Sequence, residues 1–307
     1  MANLPGRPAR ATGMSLWRTL LLCGVLVGCA SPVWIDTDLP VDPALLPNKI
    51  AISSGDGTMI SGYLYRPPTQ EARPAVLMMH GCSGLLTKKY GRLKLRETAW
   101  RDIFLAEGYV VLLLDSFTER GHRSICKISL SDRPIEPNRE RPHDAYGALQ
   151  WLQSQPFVAP DKVVLGGWSN GAMSILWTVF ASAPQRPKPL THDFRAAFGF
   201  YPGCITLRKR QPRFTAAVPT LLQLGAYDNW TLPKPCRELV ETANATGGAK
   251  MTAESYKGAV HSFDHPTSKR RTISVSNGRR VRIGSDPIAR RKAIERIRLF
   301  LRNVFTT

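Results

Sequence analysis

The chain has 307 residues, of which 43% are hydrophobic, and a formal net charge of +19. That length admits one large α/β domain or two small ones, and the ordinary globular composition excludes wholesale disorder. The basic excess carries no nucleic-acid recognition motif, so nucleic-acid binding is not expected.

The first element is an export signal. Arg7, Arg10 and Arg18 precede Thr19 to Gly28, an apolar run without charge. Such a run is shorter than the roughly 20 residues that span a bilayer, so residues 1–28 read as a signal peptide starting at Met1 or Met14. The run ends in Leu26-Val27-Gly28-Cys29, which resembles the lipobox of bacterial lipoproteins; a plain cleaved signal is the alternative. Lipidation of Cys29 would anchor the protein, and with no Asp beside it the periplasmic side of the outer membrane is expected, or otherwise the periplasm. Loss of three arginines with the signal leaves +16, and residues 250–307 hold 14 Lys or Arg against four Asp or Glu. This basic C-terminal region suits anionic lipid headgroups, or is a solvated face. Export puts Cys82, Cys126, Cys204 and Cys236 in an oxidising compartment, where two disulfides are expected and three pairings are open. No clustered Cys/His spacing suggests a zinc site, and no metal or cofactor is expected.

Residues 29–48, with Pro32, Pro40, Pro43 and Pro47, read as a tether, and the folded domain (49–307) begins near Lys49. Ile50 to Tyr65 alternates around Gly55-Asp56-Gly57 as an antiparallel hairpin at the domain edge. Two continuous apolar runs follow, Ala75 to Met79 and Tyr109 to Leu114, as in strands buried on both faces of a parallel sheet, with a helix from Arg96 to Glu107 between them. Beyond them the pattern predicts a helix over 141–153, a strand into Gly167, a helix after Ser169, strands over 196–200 and 219–224, a helix over 235–245, a strand over 250–256 and a C-terminal helix. In that last helix Ile294, Ile297, Leu301 and Val304 share a face, with Arg290, Arg291, Arg298 and Arg302 on the solvent side. The stretch from Lys269 to Gly284 reads as an exposed hairpin or loop. This alternation predicts a single α/β domain with a mainly parallel central sheet and helices on both faces.

The chemistry centres on Gly167-Trp168-Ser169-Asn170-Gly171, which joins an apolar β-branched run to a helical stretch. That is the strand, sharp turn and helix of a nucleophile elbow, with small residues two before and two after the serine. A serine hydroxyl needs a base and an orienting acid. In this fold class both stand after strand ends, which selects Asp228, beyond Pro219 to Gly225, and His261, after the 250–256 strand; His265 is the second choice. Asp193 follows no strand, and Asp264 stands too close to His261 in sequence to be the acid. The oxyanion donors are expected to be the backbone N–H groups of Asn170 and of Cys82, in the turn His80-Gly81-Cys82-Ser83-Gly84. His80 is expected to hold that turn rather than to react.

On these residues, and on Asp115-Ser116-Phe117 with Arg120-Gly121, Asp144-Ala145 through Leu152, Phe200 to Cys204, Gly225 to Asp228 and His261-Ser262-Phe263, the chain resembles the dienelactone hydrolase family of the α/β-hydrolase superfamily over about residues 49–303. The resemblance implies an α/β-hydrolase fold and a small-molecule ester substrate hydrolysed through an acyl-enzyme. The family's namesake enzymes carry a nucleophilic cysteine where this chain has Ser169, which shifts the expectation from dienelactone to a more general ester. With that fold as guide, Cys82 pairs with Cys126, both after neighbouring strand ends, and Cys204 pairs with Cys236. Two other readings stand beside the esterase. One is a prolyl-oligopeptidase-type peptidase, which shares fold and triad order but usually adds a propeller domain; the other is a catalytically silent envelope-binding module. Trp168, Tyr227, Trp230 and Arg120 admit an aromatic or carboxylate-bearing ester, or serve as core and rim packing.

Overall fold

The structure is a computed structural model that describes residues 39–306. The signal, the lipobox with Cys29 and the first part of the expected tether lie outside the described residues.

Eight strands form one sheet in the order β1-β2-β4-β3-β5-β6-β7-β8. Strands β1 (Lys49–Ser53) and β2 (Met59–Tyr65) pair antiparallel at the edge, and β2 pairs antiparallel with β4 (Val110–Asp115). From β4 onward the sheet is parallel through β3 (Arg73–Met79), β5 (Val158–Trp168), β6 (Ala196–Phe200), β7 (Thr220–Gly225) and β8 (Met251–Tyr256). Every residue of β4, β6 and β7 is buried, which is why those strands read as unbroken apolar runs rather than alternating ones. One face is covered by α2 (Glu140–Gln153), α3 (Asn170–Thr178) and α5 (Pro233–Thr246), the other by α1 (Leu95–Ala106) and α6 (Pro287–Thr306). A short α4 (Ile205–Arg210) follows β6. Among the described residues no helix is long and apolar enough to cross a membrane.

One segment differs from the sequence expectation. The end of the presumed tether is docked. Asp42 caps a short 3-10 helix (Pro43–Asn48) through the Ala44 N–H at 3.0 Å and pairs with Arg92 at 2.9 Å, while Val41 and Leu45 pack on the core, so the folded part begins before Lys49. The 269–284 stretch is, as expected, a mostly exposed hairpin, β9 (Arg271–Ser274) and β10 (Arg280–Ile283), and hydrogen bonds tie it to the domain. Gly284 N–H donates to the His261 carbonyl at 3.0 Å, and Arg282 N–H donates to Asn229 Oδ1 at 2.8 Å. In α6 the expected face buries Ile297, Leu301 and Val304, but Arg290 turns inward and donates to the Asp264 carbonyl at 3.0 Å.

The face under α1 and α6 is keyed by one buried carboxylate. Asp264 Oδ2 accepts from the indole N–H of Trp100 (2.9 Å) and of Trp168 (2.7 Å), and Oδ1 accepts from the Tyr201 hydroxyl. Tyr201 in turn accepts from Arg96 at 3.2 Å, and Arg96 is paired with Glu97 at 2.8 Å. Indole and phenol groups bury large apolar areas, but their polar hydrogens need an acceptor, and Asp264 serves three of them at once. Asp264→Ala would leave three buried donors without an acceptor at about 1–3 kcal/mol each. Urea titration is expected to record a loss of at least about 3 kcal/mol of unfolding free energy, and a loss below about 1 kcal/mol would contradict this role.

Candidate active site

The end of β5 reaches Ser169 through a backbone turn that only a confined site requires. Ser169 has φ 51° and ψ −113°, a strained conformation for a residue with a side chain, and it begins α3. The flanking glycines answer a steric demand from β3. A Cβ on Gly171 would stand 2.3 Å from the Met79 carbonyl oxygen and 2.6 Å from that of His80; one on Gly167 would stand 2.7 Å from Met79 O. Elbow and β3 thus meet backbone to backbone, which brings the turn after β3 against the serine. Ser169 itself stays partly open to solvent.

Two loops from the far side of the sheet complete a hydrogen-bonded chain. His261 Nε2 is 3.1 Å from Ser169 Oγ, and His261 Nδ1 is 2.8 Å from Asp228 Oδ2. An ionised carboxylate can only accept, so this contact selects the tautomer with the proton on Nδ1 and leaves Nε2 free to accept from the serine. Asp228 Oδ1 accepts the N–H groups of Trp230 (2.8 Å) and Thr231 (3.0 Å), and the Thr231 hydroxyl lies 2.9 Å from Oδ2 and 3.0 Å from His261 Nδ1. Burial alone would raise the Asp228 carboxyl, but the charge and hydrogen bond of His261 and the Thr231 donors outweigh it and hold the group below its ordinary value. The imidazole is packed between Tyr201 and Trp230, with ring centroids 4.4 and 4.6 Å away.

The N–H groups of Cys82 and Asn170 have no acceptor among the described residues, and both residues border the cavity that holds Ser169. The turn carrying Cys82 is held from several directions. Cys82 is disulfide-bonded to Cys126, and its carbonyl accepts from Ile125 N–H at 2.8 Å. Lys94 Nζ donates to the carbonyls of Ser83 and Gly84, and burial lowers its pKa to about 8. His80 is buried, with Nδ1 2.8 Å from the Gly81 carbonyl and Nε2 accepting from Ser116 N–H at 3.3 Å. Burial and then the charge of Arg141 push its pKa well down, so it is a neutral brace of the turn. The second disulfide joins Cys204 to Cys236.

Several residues of the site escape sequence reasoning. Arg141, fully buried, donates to Asn170 Oδ1 at 2.8 Å and so fixes the residue after the serine; burial lowers its pKa to about 9, so it stays charged at neutral pH. Thr231 joins Asp228, His261 and the Tyr201 carbonyl. Asp264, set aside for its closeness to His261, is the buried acceptor described above. The only available signal was Trp168 inside the elbow, whose buried N–H needed a partner. His265 lines a cavity with Ser169 but is not hydrogen-bonded to it, its Nδ1 accepting from Thr267 and Ser268 N–H. Arg120 is held by Asp144 at 2.8 Å and Trp168 is wholly buried, so neither faces the serine, while Tyr227 lies on the outer surface of the hairpin junction. Of the four, only Trp230 borders the site. Among the described residues no cluster of three metal-ligating side chains occurs.

The sequence model of the dienelactone hydrolase family matches residues 60–305. The chain is 30% identical over 195 residues to the quorum-quenching protein AidA of Acinetobacter baumannii, a match covering 60% of each chain. Among solved structures it is similar to esterase 2 of Thermogutta terrifontis with propionate bound, at a TM-score of 0.57 and 19% identity, covering 84% of this chain and 95% of that one. The same esterase phosphorylated by paraoxon gives a TM-score of 0.58 at 19% identity, with the same coverage. These last likenesses concern the fold.

The lowered Asp228 pKa predicts a pH dependence. A carboxyl that is more acidic folded than unfolded adds stability above its unfolded pKa and loses that stability as pH falls through the folded value. The stability difference between wild type and Asp228→Asn is therefore expected to be full at pH 6 and to shrink below about pH 4, measured by urea titration across that range. A difference that grows on acidification would contradict the assignment.

Proposed function

The chain belongs to the dienelactone hydrolase family, and from that premise we propose that it is a serine esterase in which Ser169, His261 and Asp228 act as a catalytic triad. The observation that carries this reading is the unbroken contact chain from Asp228 through His261 to Ser169, at 2.8 and 3.1 Å, on a strained elbow.

His261 Nε2 takes the Ser169 proton as Oγ attacks the ester carbonyl. The tetrahedral oxyanion is met by the N–H groups of Cys82 and Asn170, which need no rearrangement because the disulfide, Lys94 and Arg141 already fix both residues. Collapse breaks the ester C–O bond, and His261 returns the proton to the departing alcohol. Water then enters, loses a proton to His261 and cleaves the acyl-serine, restoring the hydroxyl. Asp228 stabilises the imidazolium in both halves. The 30% identity to a quorum-quenching protein adds bacterial signalling molecules with an ester bond to the substrates worth screening.

We also propose export with lipidation at Cys29, supported by the lipobox-like Leu26 to Cys29 and by two disulfides, which suit an oxidising compartment. Membrane-fraction protein is then expected to become soluble in Cys29→Ser; unchanged membrane association would contradict anchoring at this residue. For the chemistry, purified protein is expected to hydrolyse short nitrophenyl esters, and Ser169→Ala to lower kcat by roughly 10³-fold or more with retained fold. Equal turnover by Ser169→Ala would remove the assignment.

A further inference from the structure

Two cavities, about 490 and 530 Å³, open on Ser169, and the only residues they share are Cys82, Ser169 and Trp230. Their walls differ most in charge. The smaller is bounded by Leu130, Met173, Ile205, Trp230 and Leu232, together with Asn170. It contains no carboxylate, and its two arginines both donate to backbone carbonyls, Arg133 to Ile128 and Arg279 to Asn229 and Trp230. The larger lies beneath the β9–β10 hairpin, where Leu93, Leu95, Ile273 and Ile283 stand beside His261 and the charged Lys94, Arg96, Glu97 and Arg271.

Resting on the reading of Ser169 as nucleophile, we propose that the smaller cavity is the acyl subsite, that the larger is the alcohol subsite, and that the substrate class is esters of apolar acyl groups. Two requirements of the chemistry lead there, both through the position of His261. The departing alcohol must receive its proton from His261, and His261 borders the larger cavity but not the smaller. The deacylating water must also meet His261, so the alcohol side has to be a chamber that water refills, and the charged wall of the larger cavity suits this. The acyl group stays on the serine through that step and therefore occupies the other side, beside Asn170 and against the apolar wall. Scissile carbon and oxyanion then lie at the seam formed by Ser169 and Cys82. Trp230 is the partition between the chambers. It is held by Arg279 of the hairpin through its carbonyl and by Asp228 through its N–H, so the insertion that reaches over His261 also sets the boundary between subsites.

The test uses two half-exposed positions at which tryptophan fills a cavity without entering the core. Ile205, 47% exposed, borders only the smaller cavity, and Leu95, 50% exposed, only the larger. kcat/KM is measured over nitrophenyl esters of rising acyl length and over acetates of alcohols of rising size. Wild type is expected to favour acyl chains longer than acetate. Ile205→Trp should lower the long-acyl to acetate ratio about tenfold with little change in the alcohol series. Leu95→Trp should lower the large-alcohol to small-alcohol ratio and spare the acyl series. Met173→Phe, deeper in the smaller cavity, should repeat the Ile205→Trp pattern. Reversed patterns, or active variants with both series unchanged, would overturn the assignment. A wild type that cleaves no ester and takes no fluorophosphonate label would instead overturn the reading of Ser169.

Discussion

Much of the structure follows from one close approach, between the β5–α3 elbow and the carbonyl oxygens of Met79 and His80 at the end of β3. No side chain fits at Gly167 or Gly171, so the two backbones come together and two features of the site arise from a single contact. Ser169 is thrust out of the turn, and the turn carrying Cys82 is brought beside it. A substituent on either glycine would separate the serine from the N–H group proposed to receive its oxyanion.

The remaining architecture keeps that contact in register. Below the elbow, Asp264 joins Trp168 of β5 to Trp100 of α1 and Tyr201 after β6, and the Tyr201 ring lies against His261. Behind it, Arg141 holds Asn170 from α2. Above it, the Cys82–Cys126 disulfide and Lys94 hold the turn after β3. The hairpin β9–β10 closes the opposite side by bonding to the His261 carbonyl and the Asn229 side chain. The serine, the imidazole and the two free N–H groups are thus each fixed by a different layer of the domain. Preorganisation of this kind is what electrostatic stabilisation of an oxyanion requires.

What could be read from the sequence divides along physical lines. Strands buried on both faces announce themselves as β-branched runs, and the Gly-x-Ser-x-Gly pattern records a steric demand in five consecutive residues. Asp228 and His261 were legible because the fold class puts functional groups after strand ends and each follows its own apolar run. Asp264 and Arg141 were not, because their roles depend on side chains 164 and 29 residues away, to which nothing local points, and Thr231, although three residues from Asp228, meets His261 and the Tyr201 carbonyl across 30 residues. The docking of Val41 and Leu45 was hidden by the prolines around them, which mark a tether only when nothing covers the chain. Arg120, suggestive after a strand end, is neutralised by Asp144, a pairing that composition cannot display.

The central claim is that Ser169 carries the acyl group during turnover. It is tested most directly by mixing the full chain with a nitrophenyl ester, quenching in acid within the first turnovers, and mapping the adduct by peptide mass spectrometry. The account predicts one acyl group, on the peptide containing Ser169, which appears with the first equivalent of nitrophenol and decays as turnover ends. Nitrophenol release with no acylated peptide, or with the acyl group on another residue, would contradict it.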